Sequence, residues 1–554
     1  MFNISFFLIY NNQQILYNLV SKGGTMNQYL LLIGIVLILC IFTQKLTDKL
    51  PVPSLLMFLI LGMLFGVDGI FKISFDNYSI SELICSGCLI FIMFYGGFGT
   101  SFKEAKPVVL QSGLLATLGV LLTALLTGAF VHFILKVEWL QSLLIGSVIA
   151  STDAASVFGI LKTSNLNLKD NTASMLEVES GSNDPMSYML TFILCTILGG
   201  NEIEIIPLLV FQLLFGVLFG IIFGRIAVKI LNRGLISNDT KTIFVVGIVL
   251  FSYALSSVLG GNGYLSVYLC GIIMGNSKLP KKHELVHFFD SLTSMAQMMI
   301  FFLLGLLVTP SQLSSVFIPA LFIMLFLTFI GRPIAVLLTL LPFKSRLNQI
   351  GLVSFAGLRG VASIVFSIMA VLSDAPFDYN LFNLVFCIVL LSISLQGSLL
   401  PFVSRKLDMI DENTDVRKTF NDYRKENELQ FIKIHIDENH AWIQKSLSEI
   451  ELPSTLLVVL ILRNGNEHIV PNGSTIIEKG DLLVLAAQAF TDKEELSIRE
   501  IVIDNDHLYK NETLKNIKLD NGELILMIQR DESTIIPDGN TLILTNDTLV
   551  VVKH

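Results

Sequence analysis

The chain has 554 residues, 53% of them hydrophobic and only 15% charged, with a mean hydropathy of +0.70. That excludes an ordinary soluble globular protein, and apolar runs of about 18–25 residues recurring as far as residue 404 read as membrane spans. Charge is uneven: residues 408–554 hold 27 Asp/Glu against 15 Lys/Arg, whereas the first 407 residues hold 18 against 22, so an apolar, slightly basic body carries an acidic tail that argues against a nucleic-acid partner.

Residues 1–25 form a short apolar stretch and then Lys22-Gly23-Gly24-Thr25-Met26, with no basic n-region or cleavage pattern. They read as an extension preceding a true start at Met26. Apolar segments follow near 28–44, 53–67, 83–98, 107–134, 139–161, 173–198, 205–231, 242–260, 264–276, 291–308, 314–341, 348–371 and 381–403. The expected fold is an all-α polytopic membrane protein of about thirteen transmembrane helices, with inverted repeats and broken helices, plus a cytoplasmic α+β tail. Placing the tail inside puts 17 Lys/Arg in inside loops and only Lys72 and Lys136 outside. The positive-inside rule therefore sets the amino terminus outside and the tail in the cytoplasm of a bacterial cell. The six cysteines, Cys85-x-x-Cys88 among them, all fall in apolar segments and read as packing residues, not a disulfide framework or metal site.

Charges inside the spans are the functional signal, because each costs about 2.5–3.5 kcal/mol at the bilayer centre. The fifth segment carries Ser151-Thr152-Asp153-Ala154-Ala155, suited to an unwound stretch whose carbonyls face a cation. The sixth carries Glu177-Val178-Glu179-Ser180-Gly181-Ser182-Asn183-Asp184-Pro185. There Glu179 and Asn183 share one helix face, and Ser180 and Asp184 share one, while Glu177 falls off that face and reads as structural. Pro185 removes a donor and frees a carbonyl. Asp184, Asp153, Thr152 and Ser180 are hard oxygen ligands suited to K+ or Na+. Arg332, in Gly331-Arg332-Pro333, has no evident partner and reads as a packing or snorkelling residue. Gly357-Leu358-Arg359-Gly360 suits a second broken helix aiming a guanidinium at the carboxylates. His132 reads as interfacial, and His283 and His287 as solvated loop residues.

These strings resemble the Na+/H+ exchanger-type monovalent cation/proton antiporters over about residues 28–404. Thr152-Asp153-Ala154-Ala155, Glu179-Ser180-Gly181-Ser182-Asn183-Asp184-Pro185 and Gly357-Leu358-Arg359-Gly360 carry the resemblance, with Tyr95-Gly96-Gly97 a weaker match. It implies a homodimer of thirteen-span protomers, each with a dimer-forming part and a mobile ion-carrying part. It implies Asp184 as shared carrier of cation and proton, Thr152 and Ser180 as ligands, Asp153 and Glu179 as shaping the site, and Asn183 and Arg359 as its hydrogen-bonded support. Asn183, where other members have a second Asp, resembles the electroneutral branch. Ala362-Ser363 stands where many members have Val-Pro or Ala-Pro.

An acidic linker, 407–430, leads to a repeat offset by 66–67 residues. Ser446–Leu452 matches Thr513–Leu519, Pro471-Asn472-Gly473-Ser474-Thr475 matches Pro537-Asp538-Gly539-Asn540-Thr541, and Gly480–Val484 matches Asn546–Val550. Residues 431–490 and, more loosely, 499–554 resemble TrkA carboxy-terminal regulatory domains. The resemblance implies dimeric pairing and a small ligand such as a cyclic dinucleotide, and tilts the substrate toward K+. No strand leads into Gly-x-Gly-x-x-Gly, so NAD is not expected, and no other cofactor is. A tail-gated cation channel is the alternative, against which stand the lack of a Thr-Val-Gly-Tyr-Gly filter and the titratable mid-span carrier. A membrane hydrolase lacks a nucleophile, so no enzyme is expected.

Overall fold

The structure, a computed structural model, describes residues 26–47, 54–411 and 429–553, apart from 165, 201–203, 374–376, 378–379, 438–439, 441, 451, 453–455, 464–466, 489–496, 505–508, 518–522, 531–532, 536 and 546. The proposed extension 1–25 and most of the linker lie outside the described residues. The chain divides into two compact units, Met1–Tyr423 and Arg424–His554.

The first unit is helical throughout. Its elements are α1 (Met26–Thr47), α2 (Ser54–Phe65), α3 (Tyr78–Gly99), α4 (Val109–Leu135), α5 (Trp139–Val148), α6 (Ala154–Thr163), α7 (Thr172–Leu198) and α8 (Ile205–Asn232). There follow α9 (Lys241–Val258), α10 (Gly263–Gly275), α11 (Lys282–Leu307), α12 (Pro310–Phe343), α13 (Leu347–Phe355), α14 (Val361–Leu372) and α15 (Leu381–Lys406). A helix, or a pair of helices, occupies every segment expected from hydropathy. Among the described residues seven helices, α3, α4, α8, α9, α11, α12 and α15, are long and apolar enough to cross a membrane by themselves. The protein is thus a multi-pass membrane protein.

Two hydropathy segments are each split. α5 gives way to α6 across 149–153, and α13 to α14 across 356–360. The second break forms without a proline at 362 or 363; Gly357 and Gly360 leave it the room, since a Cβ there would meet the side chains of Arg332 and Asp153. Three other helices widen to π turns, and in two of them a proline explains it. Leu327–Gly331 contains Phe329, whose carbonyl Pro333 cannot bond, and Ser392–Gly397 ends at the residue whose carbonyl Pro401 leaves free. The first wide turn precedes the buried Arg332, and the second holds the buried Ser392 and Gln396.

Lipid-facing and packed surfaces separate within single helices. On α8, Phe211, Phe215, Phe219 and Phe223 stack in a ladder, while Gly216, Gly220 and Gly224 meet Asn262, Ser266 and Ile273 of the α10 segment. Small residues four apart let the two backbones close, the usual means of helix association where burial from water gives no drive.

The tail is two four-stranded antiparallel sheets, ordered β1-β4-β2-β3 and β5-β8-β6-β7. They comprise β1 (Leu429–His435), β2 (Leu456–Arg463), β3 (Glu467–Ile469), β4 (Leu482–Gln488), β5 (Ser497–Val502), β6 (Glu523–Arg530), β7 (Ser533–Ile535) and β8 (Thr548–Lys553). Even the bulges repeat, between Val458 and Leu460 and between Ile525 and Met527. Among the described residues the expected α+β tail is β apart from single 3-10 turns at Leu447–Glu449 and Leu514–Asn516. Ser446 and Glu449 do form a capping box, but Pro453 follows Leu452 and discourages further helix.

Each sheet is clasped by one arginine. Arg463 Nε and Nη2 donate to the buried Asp481 at 2.9 Å each, and Arg530 does the same to the buried Asp547 at 2.8 and 2.7 Å. The Arg530 bonds, with the Leu544 N–H, hold the Asp547 carboxyl below the ordinary carboxylate range despite its burial. A depressed folded pKa contributes stability that is complete above the unfolded value and lost as pH falls through the folded one. The second repeat should therefore keep its hydrogen-exchange protection at neutral pH and lose it only below the ordinary aspartate range. Arg530→Ala should cost it about 1–3 kcal/mol and abolish that acid dependence, since a buried acceptor is left unsatisfied.

Candidate functional site

The two helix breaks cross and are stitched to each other. The Asp153 N–H donates to Leu358 O at 2.8 Å, and the Ser151 and Ser363 hydroxyls meet at 3.2 Å. Arg359 Nη1 donates to Ala150 O at 2.8 Å and to Ser151 O at 2.9 Å. Unwound carbonyls that a helix would have satisfied are thus held by a buried guanidinium. This corrects the expectation that Arg359 aims at the carboxylates: its donors lie against the carbonyl end of α5, a helix C-terminus that favours a cation. The Arg359 N–H in turn donates to Ser392 Oγ at 3.1 Å. A Cβ on Gly360 would strike the Asp153 side chain, so only glycine permits this crossing.

α7 supplies the second half of the site. Its polar face packs on the first break, where Asn183 Nδ2 donates to Thr152 Oγ1 at 2.6 Å and Asn183 Oδ1 accepts from the Thr152 N–H at 3.3 Å. Ser180 Oγ donates to Thr152 O at 2.8 Å and accepts from the Ala154 N–H at 2.9 Å. Asn183 and Ser180 therefore latch the unwound segment in place. Asp153 caps α6, accepting from both the N–H and the hydroxyl of Ser156. Asp184 lies close enough to Asp153 for their charges to act on each other, and Ser151 interacts with it. Its Oδ1 is buried and takes no hydrogen bond from any described residue. Pro185 sits inside an unbroken α7, and the Asn262 side chain bonds its carbonyl at 2.8 Å.

Glu179 has a partner that the sequence reading did not give it. Arg332 Nη2 contacts Glu179 Oε1 at 2.8 Å, with the two side chains 5% and 1% exposed. Arg332 is thus neither a snorkelling nor a bare packing residue: lipid is closed to it, and its charge is met by Glu179. Its side chain fills the space where Gly357 lacks a Cβ. The signal available in the sequence was the count of mid-span charges, in which Arg332 was a base still in need of an acid.

A cavity of about 430 Å³ reaches these groups. Asp184, Asp153, Ser151, Thr152 and Ser180 line it, with Glu177 and Asp290 among the other wall residues. Asn167, Leu168 and Asn171, from the loop before α7, line it as well. That loop is bonded to the start of the tail, where Leu168 bridges Ile410 and the Lys169 N–H donates to Met409 O at 2.9 Å. Two carboxylates, hydroxyls and main-chain carbonyls on one part of its wall offer hard oxygen donors only. Among the described residues no group of His, Cys, Asp and Glu has the arrangement of a transition-metal site. The sequence reading gave no role to Ser363, Ser392 or Asp290, since single hydroxyls and lone acids carry no spacing signature.

The chain is similar to known proteins over most of its length. The family described as sodium/hydrogen exchanger, transmembrane, matches residues 33–406, and the TrkA-C domain matches 431–489 and 498–552. The chain is 34% identical over 469 residues to the K(+)/H(+) antiporter NhaP of Alkalimonas amylolytica, covering 84% of this chain and 82% of that one. It is 32% identical over 476 residues to the K(+)/H(+) antiporter NhaP2 of a Shewanella species, with the same shares covered. Among solved structures, the sodium proton antiporter MjNhaP1 of Methanocaldococcus jannaschii superposes with a TM-score of 0.61, at 23% identity, over 68% of this chain and 97% of that one. This chain belongs to the sodium/hydrogen exchanger family of membrane transporters.

Proposed function

We infer that the protein exchanges a monovalent cation, K+ in preference to Na+, for H+ across the bacterial plasma membrane, one for one, in cation and pH homeostasis. The carrying observation is Asp184: a buried carboxylate with one oxygen unclaimed by protein, on the wall of a cavity it shares with Asp153, Thr152 and Ser180. Burial disfavours a bare carboxylate, so such a group holds a proton or a cation in turn. Thr152, Ser180 and Asp153 complete the ligand set. Asn183 and Arg359 hold the unwound segment that carries Thr152 and Asp153, and Glu179 stays with Arg332. The K+ preference draws on the names of the NhaP and NhaP2 relatives.

In this reading the amino terminus is outside, the tail is cytoplasmic, and the protomers pair as a homodimer. The two TrkA-C repeats regulate transport, binding a small ligand such as a cyclic dinucleotide. Proteoliposomes holding the whole chain should move protons against an imposed K+ gradient without net current, with a weaker response to Na+ and Li+. Removing residues 408–554 should change the rate and not the ion order. Net current under a K+ gradient, insensitive to pH, would instead mark a channel.

A further inference from the structure

The cavity that reaches Asp184 comes from the tail-proximal side, and Tyr188, Tyr253 and Tyr264 are not among its walls. These tyrosines cover the opposite side. Tyr188 lies one turn beyond Asp184 on α7, and its ring meets that of Tyr264 at 5.0 Å and 77°. Tyr264, 2% exposed in the first turn of α10, meets Tyr253 of α9 at 5.1 Å. Phe366 of α14 stands 5.7 Å from Tyr188 and 6.3 Å from Tyr264. Four helices thus contribute one aromatic layer, and Asn262 ties α10 to the Pro185 carbonyl just below it.

Beyond that layer stands Glu82, in the first turns of α3 and half-buried. Its charge acts on both Tyr188 and Tyr253. It accepts from Ser86 Oγ at 2.9 Å, and Ser86 in turn interacts with Tyr264. Among the described residues no Lys, Arg or His pairs with Glu82. A half-buried carboxylate without a protein cation is costly in a membrane protein unless it serves a polar path. Tyrosine rings and hydroxyls are a fitting wall for a partly dehydrated monovalent cation, which they attract by face and by oxygen.

We propose that Glu82 gathers the cation on the tail-distal side of the membrane, and that the Tyr188–Tyr264–Phe366 layer is the barrier that parts to admit it to Asp184. The proposal rests on the antiport reading and adds a second, face-specific residue to it. Glu82 is a positioning residue: it raises the local cation concentration and does not hold the ion at the exchange step.

The test compares unsubstituted protein, Glu82→Gln and Glu82→Asp in right-side-out and everted membrane vesicles, with K+ or Na+ supplied at one face at a time. Glu82→Gln should raise the half-saturating cation concentration at the tail-distal face by about fivefold, the worth of one unit charge acting through water. Half-saturation at the tail-proximal face and the maximal rate should stay unchanged, and Glu82→Asp should restore the original value. Equal shifts at both faces, no shift, or a fallen maximal rate alone would overturn the proposal while leaving the antiport reading intact. No exchange by the unsubstituted protein would overturn the antiport reading, and this proposal with it.

Discussion

Asp184→Asn should reduce cation-dependent proton movement to background while the protein still reaches the membrane in normal amount. Asparagine keeps the shape of the side chain and can still take a bond from Ser151, so α7 and the helix crossing have no reason to rearrange. What it cannot do is carry a negative charge or accept a proton at neutral pH. Losing a unit charge about 4 Å from a cation costs about 4 kcal/mol at an effective dielectric of 20, close to about a thousandfold in affinity. The proton half of the cycle disappears with it, because an amide has no titration to offer. Flux assays in vesicles, read alongside membrane yield by immunoblot, check both halves. Normal proton flux in the variant would remove Asp184 from the carrier role.

Glu179→Gln and Arg332→Met should each destabilise the membrane unit by about 3–5 kcal/mol, and the double substitution should recover most of that loss. Each single change strands a buried charge whose desolvation is no longer offset, whereas the double variant strands none and leaves a neutral amide beside a methionine side chain. The pair is deep, with side chains 5% and 1% exposed, so solvent screening gives little relief. Thermal unfolding in detergent across the four variants forms a double-mutant cycle, and the expected coupling is large. Additive losses would mean that the 2.8 Å contact contributes little and that Arg332 and Glu179 are supported by other neighbours.

The helix positions and both breaks were legible in the sequence because they rest on local signals. Apolar run length marks the spans, and Thr152-Asp153 and Gly357–Gly360 are short polar or flexible interruptions that lipid does not tolerate unless they face a cavity. The tail repeat was legible because its turns, Asn472-Gly473 and Asp538-Gly539, recur at one offset. Partner choice was not legible. Arg332 and Glu179 are 153 residues apart, and Arg359 lies about equally far along the chain from Asp153, Glu179 and Asp184. Which guanidinium meets a carboxylate and which meets carbonyls depends on helix rotation. The π turns at Leu327–Gly331 and Ser392–Gly397 set part of that rotation, and hydropathy does not see them.

The ionisable groups gathered at the helix crossing are Asp153, Glu179, Asp184, Arg332 and Arg359. Fully ionised, they amount to three negative units against two positive, so the crossing is short by a single positive unit that the fold does not provide. In the antiport reading, either a proton or one alkali ion makes up the deficit; a divalent ion overshoots it, and an empty site leaves a buried negative charge unbalanced. A transporter built on such an odd tally moves freely only when loaded, and so resists leaking ions down their gradients between turnovers.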